Sequence, residues 1–136
     1  MIEVNNLTKF RVNKKYLVAV AKKVLTGENK KTEHVSVALV SPQEIHALNK
    51  QYRGKDKPTD VLSFGKVSDF KEEILEVIIC PEVTREYLRD SGLSTKKQLA
   101  KMLIHGLLHT LGYEHEGSEQ EAAAMEKKEE HYFSKI

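Results

Sequence analysis

Three histidines in the carboxyl-terminal third of the chain have the spacing of a metal site. His105 and His109 are four residues apart, so in a helix they lie one turn apart on the same face. Gly112 follows, and glycine readily takes the left-handed backbone that ends a helix, which turns His115 back towards the other two rings. Three neutral imidazoles are a good ligand set for zinc and leave a fourth position for water. The spacing therefore predicts a zinc site formed by His105, His109 and His115.

The residue after the first histidine argues against proteolysis. The spacing is that of the metzincin peptidase signature H-E-x-x-H-x-x-G-x-x-H, but Gly106 stands in place of the catalytic glutamate. An amine leaving group needs the proton that this glutamate returns, and glycine carries none. Zinc by itself still lowers the pKa of bound water towards about 7. The motif favours a metal-dependent hydrolase that is not a peptidase; a hydrogen-bonded pair of core histidines is the structural alternative.

A basic segment upstream contains groups suited to phosphate. Lys50, Arg53, Lys55 and Lys57 place four cations close together. A phosphodiester needs cationic stabilisation of its nonbridging oxygens, and the planar guanidinium of arginine meets such oxygens with two parallel hydrogen bonds. Composition alone does not distinguish Arg53 from the three lysines, or a phosphate-binding loop from a solvated surface loop.

Two motifs together resemble a known family. The segment from Asn49 to Phe64 is similar to N-x-x-Y-R-x-x-D-x-P-T-D-V-L-S-F, and the segment from His105 to His115 is similar to H-G-x-L-H-L-x-G-Y-D-H. From about Ile45 to the C-terminus the chain closely resembles the bacterial YbeY family of rRNA maturation factors, which are metal-dependent endoribonucleases. The matching residues are Asn49, Tyr52, Arg53, Asp56, Pro58, Thr59, Asp60, Val61, Leu62, Ser63 and Phe64, then His105, Gly106, Leu108, His109, Gly112, Tyr113 and His115.

The resemblance implies that His105, His109 and His115 bind zinc and that Arg53 is the catalytic arginine. It also implies cleavage of single-stranded RNA, maturation of the 3′ end of small-subunit rRNA and a part in ribosome quality control. The implied partners are single-stranded RNA or rRNA and the small ribosomal subunit or 70S ribosome, with no DNA and no membrane.

The chain departs from the family pattern at three places outside the predicted ligands. Thr110 replaces a common leucine, Glu114 replaces an aspartate, and Leu75-Glu76-Val77 replaces Gly-Asp-Ile. Glu114 and Glu116 flank the third histidine, so they are read equally well as partners of the metal site or as exposed loop carboxylates.

Two other function classes remain open at this stage. One is a ribosome-associated RNA-binding factor with a mainly structural metal, which an open fourth coordination position disfavours. The other is a metallopeptidase-like hydrolase that uses a different carboxylate as its base. Three imidazoles also suit nickel and copper, so zinc is the expected metal among several that the ligand set accepts.

The composition describes an ordinary globular protein. The 136 residues carry 22 Lys+Arg and 20 Asp+Glu, a net charge of +2, which permits an RNA partner without requiring one. A lone cysteine, Cys80, excludes an internal disulfide and is expected to be a buried, inert thiol. We expect a single hydrolase domain over residues 1–136 in the cytoplasm, since no signal peptide or membrane-spanning run is recognised.

The hydrophobic pattern predicts an α+β fold with a mixed sheet of about four strands, about five helices, and a central, buried metal-binding helix. The predicted strands are Met1–Asn6, Glu33–Val40, Val61–Phe64 and Ile74–Cys80. The predicted helices are Lys14–Leu25 ended by Gly27, Ser41 to about Tyr52 with Tyr52 facing inward, Pro81 to near Gly92, Thr95 to about Leu111, and Ser118 to about Tyr132. Arg53–Asp60 is a loop, and capping boxes are expected at Thr95 and Ser118.

Overall fold

Residues 1–69, 72–114 and 116–136 are described by the computed structural model, and within them the chain forms four strands and five helices. The predicted α+β class is confirmed. The strands are β1 (Ile2–Asn6), β2 (His34–Leu39), β3 (Val61–Asp69) and β4 (Glu72–Ile79). The helices are α1 (Lys14–Gly27), α2 (Pro42–Arg53), α3 (Pro81–Tyr87), α4 (Thr95–Thr110) and α5 (Glu119–Phe133). Among these helices, none is both long and apolar enough to cross a membrane.

The strands form one mixed sheet in the order β1-β2-β4-β3. The first three are parallel, with Val4 opposite Val37 and Val37 opposite Val77, whereas β3 runs antiparallel to β4, with Val61 opposite Ile79. Successive side chains of a strand point to opposite faces. Val37 and Val77 therefore lie on one face of the sheet and Ile78 on the other, so both faces require apolar cover.

Helices supply that cover. On one face, α1 and α4 pack on Val37 and Val77 in the main core of the protein. On the other face, α2 places Ile45 against Leu62 and Ile78 in a smaller cluster. Removing a large aliphatic side chain from water stabilises the fold by roughly 1.5–3 kcal/mol. Both clusters thus hold the helices at fixed positions on the sheet.

The central helix α4 is buried around most of its circumference, as predicted. Its core side chains, none more than 5% exposed, are Leu99, Met102, Leu103, Ile104, Leu107 and Leu108. The capping box predicted at Thr95 is wrong, because the side chain of Ser94 caps the helix by accepting from the Lys97 amide at 3.2 Å. The side chain of Gln98 instead points to the preceding loop, where its Nε2 donates to the carbonyls of Leu88 and Leu93.

Gly106 lies where α4 packs against the sheet, next to Val77 and Val61. A Cβ atom added at Gly106 would lie 2.7 Å from Val77 Cγ1 and 3.3 Å from Val61 Cγ2. Real Cβ atoms essentially never come as close as the contact with Val77, so a larger residue at this position must shift the valine side chains, the helix or the strands. The absence of a glutamate after the first histidine therefore has a packing cause, which the sequence pattern alone did not reveal.

Gly106→Ala is expected to destabilise the fold by roughly 1 kcal/mol, because overpacking costs about 1–3 kcal/mol and the better helix propensity of alanine offsets about 1. Urea denaturation of the metal-free protein measures the change. Gly65→Ala is the control, since nothing lies within 4 Å of a Cβ there. Adding Val77→Ala to Gly106→Ala relieves the clash, so strictly additive losses in the double variant would contradict this account.

Two helix ends differ in detail from the prediction. α1 continues through Gly27, and Asn29 takes the left-handed backbone with φ 59°. Gly27 is small for another reason: the ring of Tyr132 occupies the space that its Cβ would fill. α3 ends at Tyr87 and not near Gly92. α1 therefore ends at Gly27, as predicted, but without a left-handed backbone at that glycine, whereas the left-handed Gly92 lies beyond the end of α3.

Two further expectations concern the second helix and the strand after it. Tyr52 was predicted to face inward, but it is 58% exposed. Its ring meets Phe64 edge-on at 5.3 Å, and β3 is an edge strand, so no further strand of the described residues covers that ring. β3 also extends past Phe64 to Asp69, because its antiparallel pairing with β4 continues.

Cys80 is buried as expected, and burial raises the pKa of its thiol.

Candidate active site

A cleft of about 230 Å³ brings the two sequence motifs together. It lies between α4, the end of α2 and the start of β3. The residues lining it are Arg53, Val61, Leu62, Ser63, His105, His109, Glu114 and Glu116. Arg53 and two of the three predicted metal ligands thus share one concave site, although they are far apart in the chain.

Helix α4 orients the two described histidines. They lie one turn apart near its C-terminal end, and the His105 side chain is 26% exposed. The helix ends in a Schellman motif: the Tyr113 amide donates to Leu108 and the Gly112 amide to the His109 carbonyl, both at 3.1 Å. Gly112 has φ 107°, the left-handed conformation expected there. The chain therefore turns at Gly112, just past the end of α4, as the sequence indicates.

The third predicted ligand, His115, lies outside the described residues. Within the described part of the chain, no three His, Cys, Asp or Glu side chains are grouped closely enough to hold a metal ion. That part supplies His105 and His109, and the turn at Gly112 carries the chain onward to Glu114 and Glu116, which both line the cleft. The assignment of the metal to three histidines stays a prediction.

The hydrogen bonds of His105 and His109 suit metal ligands. His105 Nδ1 donates to Glu129 Oε1 at 2.9 Å, and His109 Nδ1 donates to the Tyr113 carbonyl at 3.1 Å. A proton held on Nδ1 puts the lone pair of the neutral ring on Nε2, the atom that binds a metal. Metal-bound histidines usually direct their other ring nitrogen to a carboxylate or a backbone carbonyl in this way. The surroundings of both rings therefore fit a bound metal.

The largely buried carboxylate of Glu28 stabilises the turn after α4. Glu28 accepts from Tyr113 Oη at 2.7 Å, from Lys128 Nζ at 3.2 Å and from the Tyr132 hydroxyl. Burial raises the pKa of the Glu28 carboxyl, but these hydrogen bonds outweigh burial and hold the pKa below its usual value. Burial and the Glu28 carboxylate raise the pKa of Tyr132. Glu28 thus stays ionised and links α1, the turn and α5.

Arg53 reaches the cleft from the last turn of α2. A capping box between Ser41 and Glu44 starts this helix, and Gly54, with φ 69°, ends it in the left-handed conformation. Arg53 is therefore the last residue of the helix and not the first of the loop. A helical backbone fixes the direction of its side chain more firmly than a loop does.

The loop after Arg53 is tied back to the same helix. Asn49, which is only 1% exposed, donates from Nδ2 to the Lys57 carbonyl at 2.9 Å. His46 Nε2 lies 2.7 Å from Asp56 Oδ1. These two contacts fix the loop between Arg53 and β3. They therefore hold Arg53 at a constant distance from the start of β3, which lines the cleft.

One residue beside the site was not found from the sequence. Glu129 contacts His105, yet the chain has many glutamates and no motif marks this one. The sequence feature that could have identified Glu129 is its position on α5. It follows Met125 by four residues and precedes Tyr132 by three, and both of these residues are buried. A carboxylate in the apolar stripe of a helix needs a partner.

Comparison with known proteins identifies the family. The profile of a family described as endoribonuclease YbeY matches residues 3–136. The chain belongs to the endoribonuclease YbeY family. The resemblance seen in the two motifs is thereby confirmed, and the YbeY match extends it to the N-terminal third of the chain, where no motif was recognised.

Individual YbeY relatives agree. An endoribonuclease YbeY from Sulfurihydrogenibium sp. is 35% identical over 128 residues, covering 92% of this chain and 84% of the relative. The Bacillus subtilis endoribonuclease YbeY is 39% identical over 107 residues, covering 71% and 68%. The solution structure of TM1509 from Thermotoga maritima has a TM-score of 0.66 and 33% identity, over 98% of this chain and 87% of that one.

Proposed function

We propose that this protein is a zinc-dependent endoribonuclease that cleaves single-stranded RNA. We place it in maturation of the 3′ end of small-subunit rRNA and in ribosome quality control, with the small subunit or 70S ribosome as its cytoplasmic partner. The family supports an endoribonuclease that acts in rRNA processing. The observation that carries the proposal is the shared cleft of Arg53, His105 and His109.

His105, His109 and His115 are the residues that would hold the metal. The Nδ1 contacts of the first two rings leave each ring in the tautomer that binds metal through Nε2. When bound, zinc supplies Lewis-acid activation of the nucleophile and of the phosphate. The protein holds the ligand rings in place through Glu129 and the Tyr113 carbonyl.

Arg53 is the group in the cleft that binds the phosphate. Its guanidinium can donate two hydrogen bonds to the nonbridging oxygens, which gain charge as the nucleophile attacks. The cleft also contains the carboxylates of Glu114 and Glu116, which repel phosphate. The arginine and the metal must outweigh that repulsion, and the two carboxylates are candidate proton acceptors in the cleft.

The packing of Gly106 disfavours a metzincin-like peptidase. A glutamate at this position would have its Cβ 2.7 Å from Val77 Cγ1, so the usual peptidase base does not fit against this sheet. Arginine and serine in the cleft instead offer hydrogen-bond donors to an anionic substrate. The chemistry of the cleft therefore favours a phosphodiester over a peptide.

The test is cleavage of an end-labelled single-stranded RNA by the purified zinc-loaded protein. We expect His109→Ala to abolish cleavage, and chelation to abolish cleavage of the wild type until zinc is added back. His131→Ala is the matched control, because this exposed histidine lies on α5 outside the cleft.

Equal cleavage by wild type and His109→Ala would reveal a contaminating ribonuclease. If the zinc-loaded wild type binds RNA or ribosomes but never cleaves, and chelation only lowers its melting temperature, the protein is instead a binding factor with a structural metal. Cleavage of unfolded protein by the wild type would favour the peptidase alternative.

A further inference from the structure

A larger groove joins the cleft beside His105. Its volume is about 640 Å³, and it shares Val61 and His105 with the cleft. The rest of its lining comes from the loop before β3 and from α3, α4 and α5. A single-stranded substrate held at Arg53 and the histidines must continue beyond the scissile phosphate. The shared residues make this groove a continuous path for the neighbouring nucleotide.

An exposed aromatic ring stands at the side of this groove. Tyr87, the last residue of α3, lines it and is 71% exposed. Most of this ring is in contact with water. Stacking a nucleobase on it would remove apolar surface from water and add favourable contacts between the two rings. Single-stranded nucleic acids are bound chiefly by such stacking on aromatic side chains combined with nearby cations.

The charges of the groove favour a base in its interior and a phosphate at its edge. Lys57 and Lys101 are the cations in the lining, and Asp60, Glu126 and Glu129 are the carboxylates. Three carboxylates against two cations disfavour a phosphate deep in the groove, whereas a nucleobase is neutral. Lys57 lies in the loop between Arg53 and β3 and lines the groove, so its ammonium group is available to a phosphate of an RNA that continues from the cleft into the groove.

We propose that this groove is a nucleotide subsite, an inference that rests on the proposed function. In it, the base next to the scissile phosphate stacks on Tyr87, and its phosphate lies near Lys57. Tyr87 contributes binding of the substrate and takes no part in the chemical step. Removing its ring should therefore weaken RNA binding and raise KM while kcat stays nearly unchanged.

The experiment measures binding of a five-nucleotide RNA to the zinc-loaded full chain by stopped-flow anisotropy before turnover. Five derivatives each lack one base but keep the sugar and phosphate. For the wild type, loss of one particular base should raise Kd by roughly 5- to 100-fold, the usual range for base stacking on an aromatic ring. Tyr87→Ala should raise Kd for the intact RNA by the same factor and then be insensitive to the loss of that base.

Two variants separate stacking from general effects. Tyr87→Phe keeps the ring and should behave as the wild type, and Leu7→Ala removes another large exposed apolar side chain, 63% exposed, without effect. Unchanged binding in Tyr87→Ala, or equal penalties for every missing base in both proteins, would overturn the subsite.

Failure of the subsite and failure of the proposed function give different results. Cleavage of the labelled RNA without coupling between Tyr87 and a base refutes the subsite alone. Coupling in the binding measurement without any cleavage supports the subsite and refutes the nuclease. Absence of both refutes both.

Discussion

Arg53→Ala is expected to lower kcat for RNA cleavage by roughly 10²- to 10³-fold, the usual loss when one preorganised donor to developing charge is removed. Zinc should stay bound, because Arg53 is not among the predicted ligands. The expected result is therefore an inactive protein with an unchanged metal content, measured by cleavage kinetics and by metal analysis of the same preparation.

Two variants show that the guanidinium, and not only a positive charge, is needed. Arg53→Lys keeps the charge but loses the paired donors, so it should recover only a small part of the activity. Lys55→Ala removes the next cation along the chain and is the control, since Lys55 does not line the cleft. If Arg53→Lys is as active as the wild type, phosphate binding through paired donors is wrong.

Glu129→Gln is expected to weaken zinc binding by roughly 10- to 100-fold, the usual effect of removing the partner that orients a metal-bound histidine. The carboxylate accepts from His105 Nδ1 at 2.9 Å, and both side chains are 26% exposed. Glutamine can keep a hydrogen bond but loses the charge that makes the imidazole a better ligand. Competition with a chromophoric chelator measures the zinc affinity directly, without any use of activity.

Glu130→Gln is the matched control for this experiment. It removes the same charge from the adjacent residue, which is exposed, and it should leave the zinc affinity unchanged. Circular dichroism of both variants verifies that the helices are intact. Equal zinc affinities for Glu129→Gln and the wild type would show that the contact with His105 does not support the metal site.

Local sequence signals predicted most of the elements because local physics fixes them. Strand alternation, the Ser118 capping box and the turn at Gly112 all appear in the structure where they were expected. Errors arose where a distant residue decides the outcome. Gly27 ends α1 as expected, but a glycine is needed there because the Tyr132 ring occupies the space of a Cβ atom, and not because the backbone is left-handed. The cap of α4 is at Ser94 and not at Thr95, and the Gln98 side chain binds carbonyls of the preceding loop.

The same distinction applies to the site. The spacing of His105 and His109 predicts that they share a helix face, and the family motif selects Arg53 among the neighbouring cations. The residues that support the site could not be predicted in this way. No local pattern predicts that Glu28 accepts a hydrogen bond from Tyr113, or that Val77 leaves room only for a glycine at position 106. These contacts join segments far apart in the chain, so they are visible only in the folded molecule.

The groups that hold the two described histidines in place come from opposite ends of the chain. Glu28, at the end of α1, braces the turn through Tyr113, and Glu129 of α5 contacts His105. A zinc finger is different, because one short segment carries both the ligands and the packing around them and folds when metal binds. A peptide of residues 95–116 from this chain would keep every predicted ligand and still be a poor chelator. The proposed metal centre should therefore depend on the whole fold, and a substitution in the first or last helix is expected to weaken metal binding even when every predicted ligand is unchanged.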